Sequence, residues 1–596
     1  MVLRIAIVEP DSCQPKRCAH ECHDFCPPVL NGGECVTFDA ESGKAVISEE
    51  ICIGCGICVK KCPFDAILIE NLPQMRPEDE VHRYGINQFA LFGLFVPAEG
   101  KVTGILGPNG TGKTTAVKVL LGQLRPNLGR EDATWEEVLR HFKGTEIQRF
   151  LQRVLGGGMS VSYKPQDLLA DPGDVRPDVA AALDVDPRKP ADALSGGERQ
   201  RLAIAACLGK EADLYILDEI TPYLDIFQRM KVARLLREVA ERGKSLLVVD
   251  HDLAVLDAVS DAICVIYGTP GAFGAATGTK TPRTGINEYL DGHLRAENVR
   301  IRSEPIRFEP RALSGARAHE PLGAVHAPKN PPEGGSGNLL ARFGPFAKTY
   351  GDYRLSVGSG EIRRSEVVGI LGPNAIGKST FARILAGVAP PDEGAPLDKN
   401  LKIAYKPQYL KVDVEMTTRE FMRGLSSERG QSDLFDAGVI HPLAIDRLME
   451  RPVGALSGGE LQRVAIAGCL AREADLYLLD EPSAHLDVEQ RMVAAKILRR
   501  FSRENAKPVM VIDHDIYLMD LLCDRLIVFA GTPGREGRAE GPFDMREGMN
   551  RFLSQLGVTF RRDPTGRPRI NTPGSRKDRE QREAGEYYYE VPEDVE

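Results

Sequence analysis

The stretch Leu194-Ser195-Gly196-Gly197-Glu198-Arg199-Gln200-Arg201 puts a hydroxyl and two glycine amides at the head of a helical pattern. Exposed N–H groups and the positive end of a helix dipole make such a start an anion site. The pattern returns as Leu456-Ser457-Gly458-Gly459-Glu460-Leu461-Gln462-Arg463. Upstream of each copy, a glycine-rich loop joins a strand-like apolar run to a helical pattern, the setting in which such loops hold phosphate. The first loop is Gly107-Pro108-Asn109-Gly110-Thr111-Gly112-Lys113-Thr114, the second Gly372-Pro373-Asn374-Ala375-Ile376-Gly377-Lys378-Ser379. The glycines let backbone amides close around phosphates, the lysine neutralises β/γ charge, and the hydroxyl serves Mg²⁺. Asn109, Gly110, Gly112, Lys113, Thr114 and Thr115 are the first set of expected ATP contacts; Asn374, Gly377, Lys378, Ser379 and Thr380 are the second.

Each half then carries Tyr-Lys-Pro-Gln, ending at Gln166 or Gln408, and a buried-strand pattern ending in Asp218-Glu219 or Asp480-Glu481. At a strand's carboxyl end the aspartate suits Mg²⁺ and the glutamate suits a water to be oriented or deprotonated. The expected magnesium sets are Thr114, Gln166 and Asp218, and Ser379, Gln408 and Asp480. His251 and His514 follow further strand ends. A lone histidine is usually structural, but here its place after the other motifs favours a γ-phosphate sensor. Lys378 stands 265 residues after Lys113, Ser457 262 after Ser195, Asp480 262 after Asp218, and His514 263 after His251. Such constancy marks a duplicated domain.

This motif order is similar to that of ATP-binding cassette (ABC) ATPases. The resemblance implies that each signature stretch closes over the other cassette's nucleotide. Ser457 and Gly459 would close ATP at Lys113, and Ser195 and Gly197 would close ATP at Lys378. The second cassette reads Asp480-Glu481-Pro482-Ser483-Ala484-His485-Leu486-Asp487, close to the usual form. The first, Asp218-Glu219-Ile220-Thr221-Pro222-Tyr223-Leu224-Asp225, displaces the proline and lacks the serine, so the two sites need not hydrolyse at equal rates.

At 596 residues the chain has room for three or four domains. A net charge of −9 argues against a whole-chain grip on nucleic acid. No run approaches the ~20 apolar residues of a membrane span, and Met1–Ala6 reads as a strand rather than a signal peptide, so a cytoplasmic protein is expected. Nine of the 13 cysteines lie between Cys13 and Cys62; Cys207, Cys264, Cys469 and Cys523 read as small core residues.

The run Cys52-x2-Cys55-x2-Cys58-x3-Cys62-Pro63 has the bacterial ferredoxin spacing, and Cys13-x4-Cys18-x3-Cys22-x3-Cys26-Pro27 is a looser version. In two-cluster ferredoxins the fourth cysteine of a run ligates the other cluster. Applied here, one [4Fe–4S] cluster takes Cys52, Cys55, Cys58 and Cys26; the other takes Cys13, Cys18, Cys22 and Cys62. Cys35 is left over. Zinc is the competing reading, more so for the looser run.

The fold class expected is multidomain: a ferredoxin-like α+β iron–sulfur head plus two α/β P-loop ABC ATPase domains. The head spans 1–75, the first cassette 76–295, a hinge and linker 296–337, the second cassette 338–548, a second hinge segment 549–571, and a polar, disordered tail 572–596. Tyr84 and Phe89 stand where adenine could stack, or belong to the core. The first cassette also carries 23 extra residues between its P-loop helix and glutamine. Two capping boxes, Thr134-x-x-Glu137 and Thr145-x-x-Gln148, predict a helix–loop–helix over 134–156. Arg140, Lys143, Arg149 and Arg153 would lie outside it. Its bland reading is a solvated extension.

Together the head and the twin cassettes resemble the ABC subfamily E ribosome-recycling ATPases, also called RNase L inhibitors, over roughly residues 1–570. That resemblance implies a monomeric ATP hydrolase with two [4Fe–4S] clusters, ATP and Mg²⁺. Closure of the cassettes would drive the head between ribosomal subunits. Its partners would be the ribosome, chiefly the small subunit through rRNA and ribosomal proteins, and a release-factor-like or Pelota-like factor, with no DNA and no membrane. It also implies that the insertion grips the ribosome. Two readings stand beside this one: an ATP-coupled iron–sulfur redox protein, and a soluble ABC ATPase of another subfamily.

Overall fold

The computed structural model describes residues 3–10, 12–72, 75–130, 132–166, 175–190, 193–302, 304–306, 338–408, 415–425, 432–562 and 566–589. It forms two compact units. One comprises Met1–Ile220, Val232–His251 and Val259–Pro305; the other comprises Thr221–Lys231, Asp252–Ala258 and Ile306–Glu596. The division does not follow the sequence boundary near 295. The segments after Glu219 and His251 belong to the second unit, although both are read from the first cassette.

In the first unit the head is framed by strand Leu3–Val8, antiparallel to Ile67–Leu72, with Val8 opposite Ile67. Between them lie short helices Glu21–Asp24 and Pro27–Leu30, a hairpin of Val36–Phe38 and Ala45–Ile47, and helix Ile57–Lys61. The head's core is built from sulfur as much as hydrocarbon: Cys22, Cys26, Cys35, Cys52 and Cys58 pack with Ala6, Val8, Ile47 and Ile67. Asn87, from the hairpin between Tyr84 and Phe89, fastens the head to the cassette. Its Nδ2 donates to the carbonyls of Ala6 and Ile47, each at 2.9 Å, and its Oδ1 accepts from the Ile47 N–H at 2.8 Å.

The cassette is an eight-stranded sheet. Five parallel strands run in the order Val161–Lys164, Leu214–Asp218, Ser245–Val249, Val102–Leu106, Ala262–Tyr267. Strands buried on both faces read as unbroken apolar runs, and four of these five are buried from their second residue on. Val249 is level with both Asp218 and Ile105. The P-loop, Asp218-Glu219 and Asp250-His251 therefore leave the sheet at one carboxyl edge.

The insertion forms helices Trp135–His141 and Glu146–Leu155. Thr134 and Thr145 cap them, and Gly144 turns between them at φ 81°. Val138, Phe142, Phe150 and Leu151 pack into the cassette core, while Arg140, Lys143, Arg149 and Arg153 are exposed.

The second unit repeats the plan in a nine-stranded sheet whose parallel part runs Ile403–Lys406, Leu476–Asp480, Val509–Ile512, Val367–Leu371, Arg525–Thr532. The segment read as a second hinge holds the end of helix Met545–Leu556 and strands Phe560–Arg562 and Pro568–Ile570. Of the first hinge and linker, 303 and 307–337 lie outside the described residues.

The expected disorder of the tail is overturned for residues 572–589. Helix Arg576–Glu583 and strand Tyr588–Tyr589 follow, the strand pairing in parallel with Phe560–Arg562. Tyr588 is buried, stacks on Phe560 and donates to Asp520 Oδ1 at 2.6 Å. Buried Asp578 accepts from the Thr559 hydroxyl at 2.6 Å. Averaged composition hid one buried aromatic and one buried acid that together dock the segment. Residues 590–596 lie outside the described residues.

Candidate cluster and nucleotide sites

The head gathers eight cysteines into two neighbourhoods. Burial pushes the Cys22 thiol up to about 12, with Cys62, Cys18 and Cys13 adding to it. Burial pushes Cys58 to about 11, with Cys52, Cys55 and Cys26 adding. These groupings coincide with the two expected ligand sets, including the exchange of Cys26 and Cys62 between runs. Cys35 is buried against the second set and pushed to about 12 by burial and by Cys26 and Cys52. Cys26, Cys35, Cys52, Cys55 and Cys58 line one cavity with Ile47. Thiols this crowded in an apolar pocket keep their protons unless cationic iron replaces them, so the donor set fits a cluster. Among the described residues no three His, Cys, Asp or Glu side chains are placed to hold a single metal ion.

At the first nucleotide site, helix Lys113–Leu120 begins directly after Gly112. A Cβ on Gly107 would lie 2.1 Å from the Ile266 carbonyl, and one on Gly112 2.6 Å from the Phe89 ring, so the loop closes only with glycine there. The Lys113 ammonium lies inside the loop, donating to the carbonyls of Gly107 (3.0 Å) and Pro108 (2.8 Å), with Asn109 Oδ1 at 3.4 Å. The Thr114 hydroxyl donates to Asp218 Oδ2 at 3.3 Å. Gln166 Nε2 donates to Glu219 Oε1 at 2.9 Å, and His251 Nε2 is 3.9 Å from the same oxygen. Tyr84 is half exposed, its hydroxyl 3.2 Å from that of Thr115. Phe89 packs against the core. The structure thus separates the two aromatics: Tyr84 is open to a stacking partner, and Phe89 supports the loop.

The second site is built alike. Lys378 donates to the carbonyls of Gly372 and Pro373 at 2.8 and 2.6 Å. The Asp480 carboxylate is buried, and burial raises its pKa while the Ser379 hydroxyl opposes that rise. His514 Nε2 is 3.5 Å from Glu481 Oε1. Within the second unit Asp225 Oδ2 accepts from the Asn374 N–H at 2.7 Å. Burial lowers Lys378 to about 8, with Asp225, Glu481 and Asp480 opposing that fall.

The glutamates differ. Burial, then Asp250 and Asp218, raise Glu219 to about 7. Burial also pushes on Glu481, but His514, whose Nε2 lies 3.5 Å away, and Gln408 outweigh it and hold the carboxyl near 2.

Ser195 and Gly197 open helix Gly196–Leu208 in the first unit; Ser457 and Gly459 open Gly458–Leu470 in the second. Each serine is locked in a capping box with Glu198 or Glu460. Sequence reading missed Tyr350 and Tyr353, the second cassette's counterparts of Tyr84 and Phe89. Tyr350 is half exposed, and a Cβ on Gly377 would lie 2.2 Å from the Tyr353 hydroxyl. The duplication offset was the signal for both. It also missed Lys164, Lys406, Gln200 and Gln462, which reach the backbone of the carboxylate pairs.

Comparison with known proteins fits this geometry. The family model "ABC transporter" matches residues 95–222 and 355–484. "Possible Fer4-like domain in RNase L inhibitor, RLI" matches 3–34, and "4Fe-4S binding domain" matches 45–68. An uncharacterized ABC transporter ATP-binding protein of Methanocaldococcus jannaschii is 45% identical over 98% of both chains. The translation initiation factor RLI1 of Saccharomyces cerevisiae is 41% identical over 98% of both. The chain belongs to the RNase L inhibitor family, ABC subfamily E. It is an ABC-type ATP hydrolase with a ferredoxin-like head of the 4Fe–4S class. A model of ribosome-bound archaeal Pelota and ABCE1 contains a chain with the same fold, at TM-score 0.89 and 48% identity over 99% of both chains. Among the described residues no helix is long and apolar enough to cross a membrane.

Proposed function

We propose that this chain is a cytoplasmic, monomeric ribosome-recycling ATPase, in which cassette closure on ATP moves the iron–sulfur head to part the ribosomal subunits. The reading is carried by the joining of a cysteine-packed head, through Asn87, to the hairpin that bears Tyr84 and Phe89. Its relative in the ribosome-bound Pelota complex supports the setting. Cys13, Cys18, Cys22 and Cys62 hold one cluster, and Cys26, Cys52, Cys55 and Cys58 the other. Bound clusters cross-link the short elements of the head into a rigid body.

Thr114 and Asp218, with Gln166, hold Mg²⁺ at the first site; Ser379, Asp480 and Gln408 hold it at the second. Glu219 and Glu481 each take the proton of an attacking water, while His251 and His514 sense the γ-phosphate. Ser457 and Gly459 close the first nucleotide and Ser195 and Gly197 the second. Contacts made only in the closed state favour closure, and hydrolysis removes them. The exposed Arg140, Lys143, Arg149 and Arg153 meet small-subunit phosphates. Reversing those four charges should weaken small-subunit binding and flatten its salt dependence, with ATP binding intact.

A sucrose gradient of ribosomes with the protein, ATP and a Pelota-like factor tests the reading. Intact ribosomes should shift to subunits only when all three are added. An unchanged profile, with ATP turnover intact, would overturn it.

A further inference from the structure

Lys164 ends strand Val161–Lys164, where Ser162 and Lys164 are the two inward positions. A lysine 2% exposed is rare unless it is paired. Its Nζ donates to the carbonyls of Asp218 and Glu219, each at 2.8 Å. Just there the chain turns, and Glu219 adopts φ 51°, a left-handed conformation that costs a side-chain-bearing residue and persists only where neighbours impose it. Gln200, on the helix opened by Ser195, donates to the same Glu219 carbonyl at 2.6 Å.

The second cassette repeats each part. Glu481 has φ 47°. Buried Lys406 donates to the carbonyls of Asp480 (2.8 Å) and Glu481 (3.4 Å), and Gln462 reaches the Glu481 carbonyl. Two carbonyls aimed at one point need a donor with several N–H groups on a compact head, and an ammonium has three.

The tetrapeptide Tyr163-Lys164-Pro165-Gln166 therefore grips the glutamate at both ends, with Lys164 on its carbonyl and Gln166 on its carboxylate. We propose that Lys164 and Lys406 are positioning residues that hold the Asp-Glu pair in its left-handed turn and so aim the glutamate carboxylate at the attacking water. The inference rests on the reading of Glu219 and Glu481 as the residues that act on that water. The ammonium also faces the charges of Asp218, Asp250 and Glu219, which oppose the effect of its burial.

The test uses the full chain with clusters, carrying Glu481→Gln so that turnover reports on the first site. Adding Lys164→Met should slow single-turnover hydrolysis by about 10²-fold, the cost of a misplacement near 1 Å. The MgATP Kd should change less than about threefold, the melting midpoint should stay close to the parent's, and Lys164→Arg, whose planar fork does not match a compact ammonium, should recover little of the rate. Lys406→Met in a Glu219→Gln background should do the same at the second site. If Lys164→Met does not fold, Lys164→Gln, which keeps an amide NH2 but no charge, is measured in the same way. An unchanged rate per folded site, or a loss confined to melting point and nucleotide affinity, would overturn the proposal. If Glu219→Gln in the same background leaves hydrolysis intact, the reading of the glutamate fails instead.

Discussion

The two carboxylate centres share one scaffold and differ in charge. In both, a parallel strand ends in Asp-Glu, the glutamate is left-handed, and a buried lysine and glutamine hold its carbonyl. Yet Glu219 is raised to about 7 while Glu481 is held near 2. His514 stands closer to its glutamate than His251 does, at 3.5 against 3.9 Å. Asp250 and Asp218 add repulsion at the first site. The duplicated fold thus keeps its backbone geometry while the surroundings of the glutamate side chain push one carboxyl up and the other down.

Removing each base tests the comparison most severely. Glu219→Gln and Glu481→Gln should each lower hydrolysis at their own site by about 10²–10⁴-fold, the range for a general base. The residual steady-state rates of the two variants should differ, because each reports the remaining site. Equal residual rates would erase the distinction.

The pH dependence sharpens it. A base with pKa near 7 is mostly protonated at pH 6 and mostly ionised at pH 8. With Glu481→Gln, leaving the first site, hydrolysis should rise about tenfold over that interval. With Glu219→Gln, leaving Glu481, it should stay nearly level. Parallel profiles would show that the glutamates titrate alike.

Nucleotide affinity gives the smallest effect. Tyr84→Ala and Tyr350→Ala should each weaken ATP binding at their own site by about two- to tenfold, the worth of one aromatic stack. A fluorescent ATP analogue titrated into each variant reads this directly. Loss at one site only would show that just one cassette uses its exposed tyrosine for stacking.

Much of this was legible in the sequence because it depends on local pattern. Glycines at fixed spacing, apolar runs ending in Asp-Glu, and a near-constant offset through four motifs identify two cassettes without any long-range information. Cysteine spacing suggests two groups of four, and the fold sets Cys62 beside Cys22 and Cys26 beside Cys58. What stayed hidden depends on tertiary context. Lys164 looks like any strand-end lysine until the neighbouring strand brings two carbonyls to it. The Arg576–Glu583 segment looks solvated because Arg576 and Glu580 pair on its surface, and the burial of Asp578 and Tyr588 leaves no periodic trace. Segments 221–231 and 252–258 join the second unit through packing that no motif announces.

If ATP closure moves the head, light scattering of ribosomes mixed with the protein, ATP and a Pelota-like factor will report it. The wild-type chain should produce a rapid fall in scattering as subunits separate. Cys58→Ser, which removes one thiolate from the head, should abolish that fall while ATP binding is retained. Normal splitting by Cys58→Ser would contradict the account.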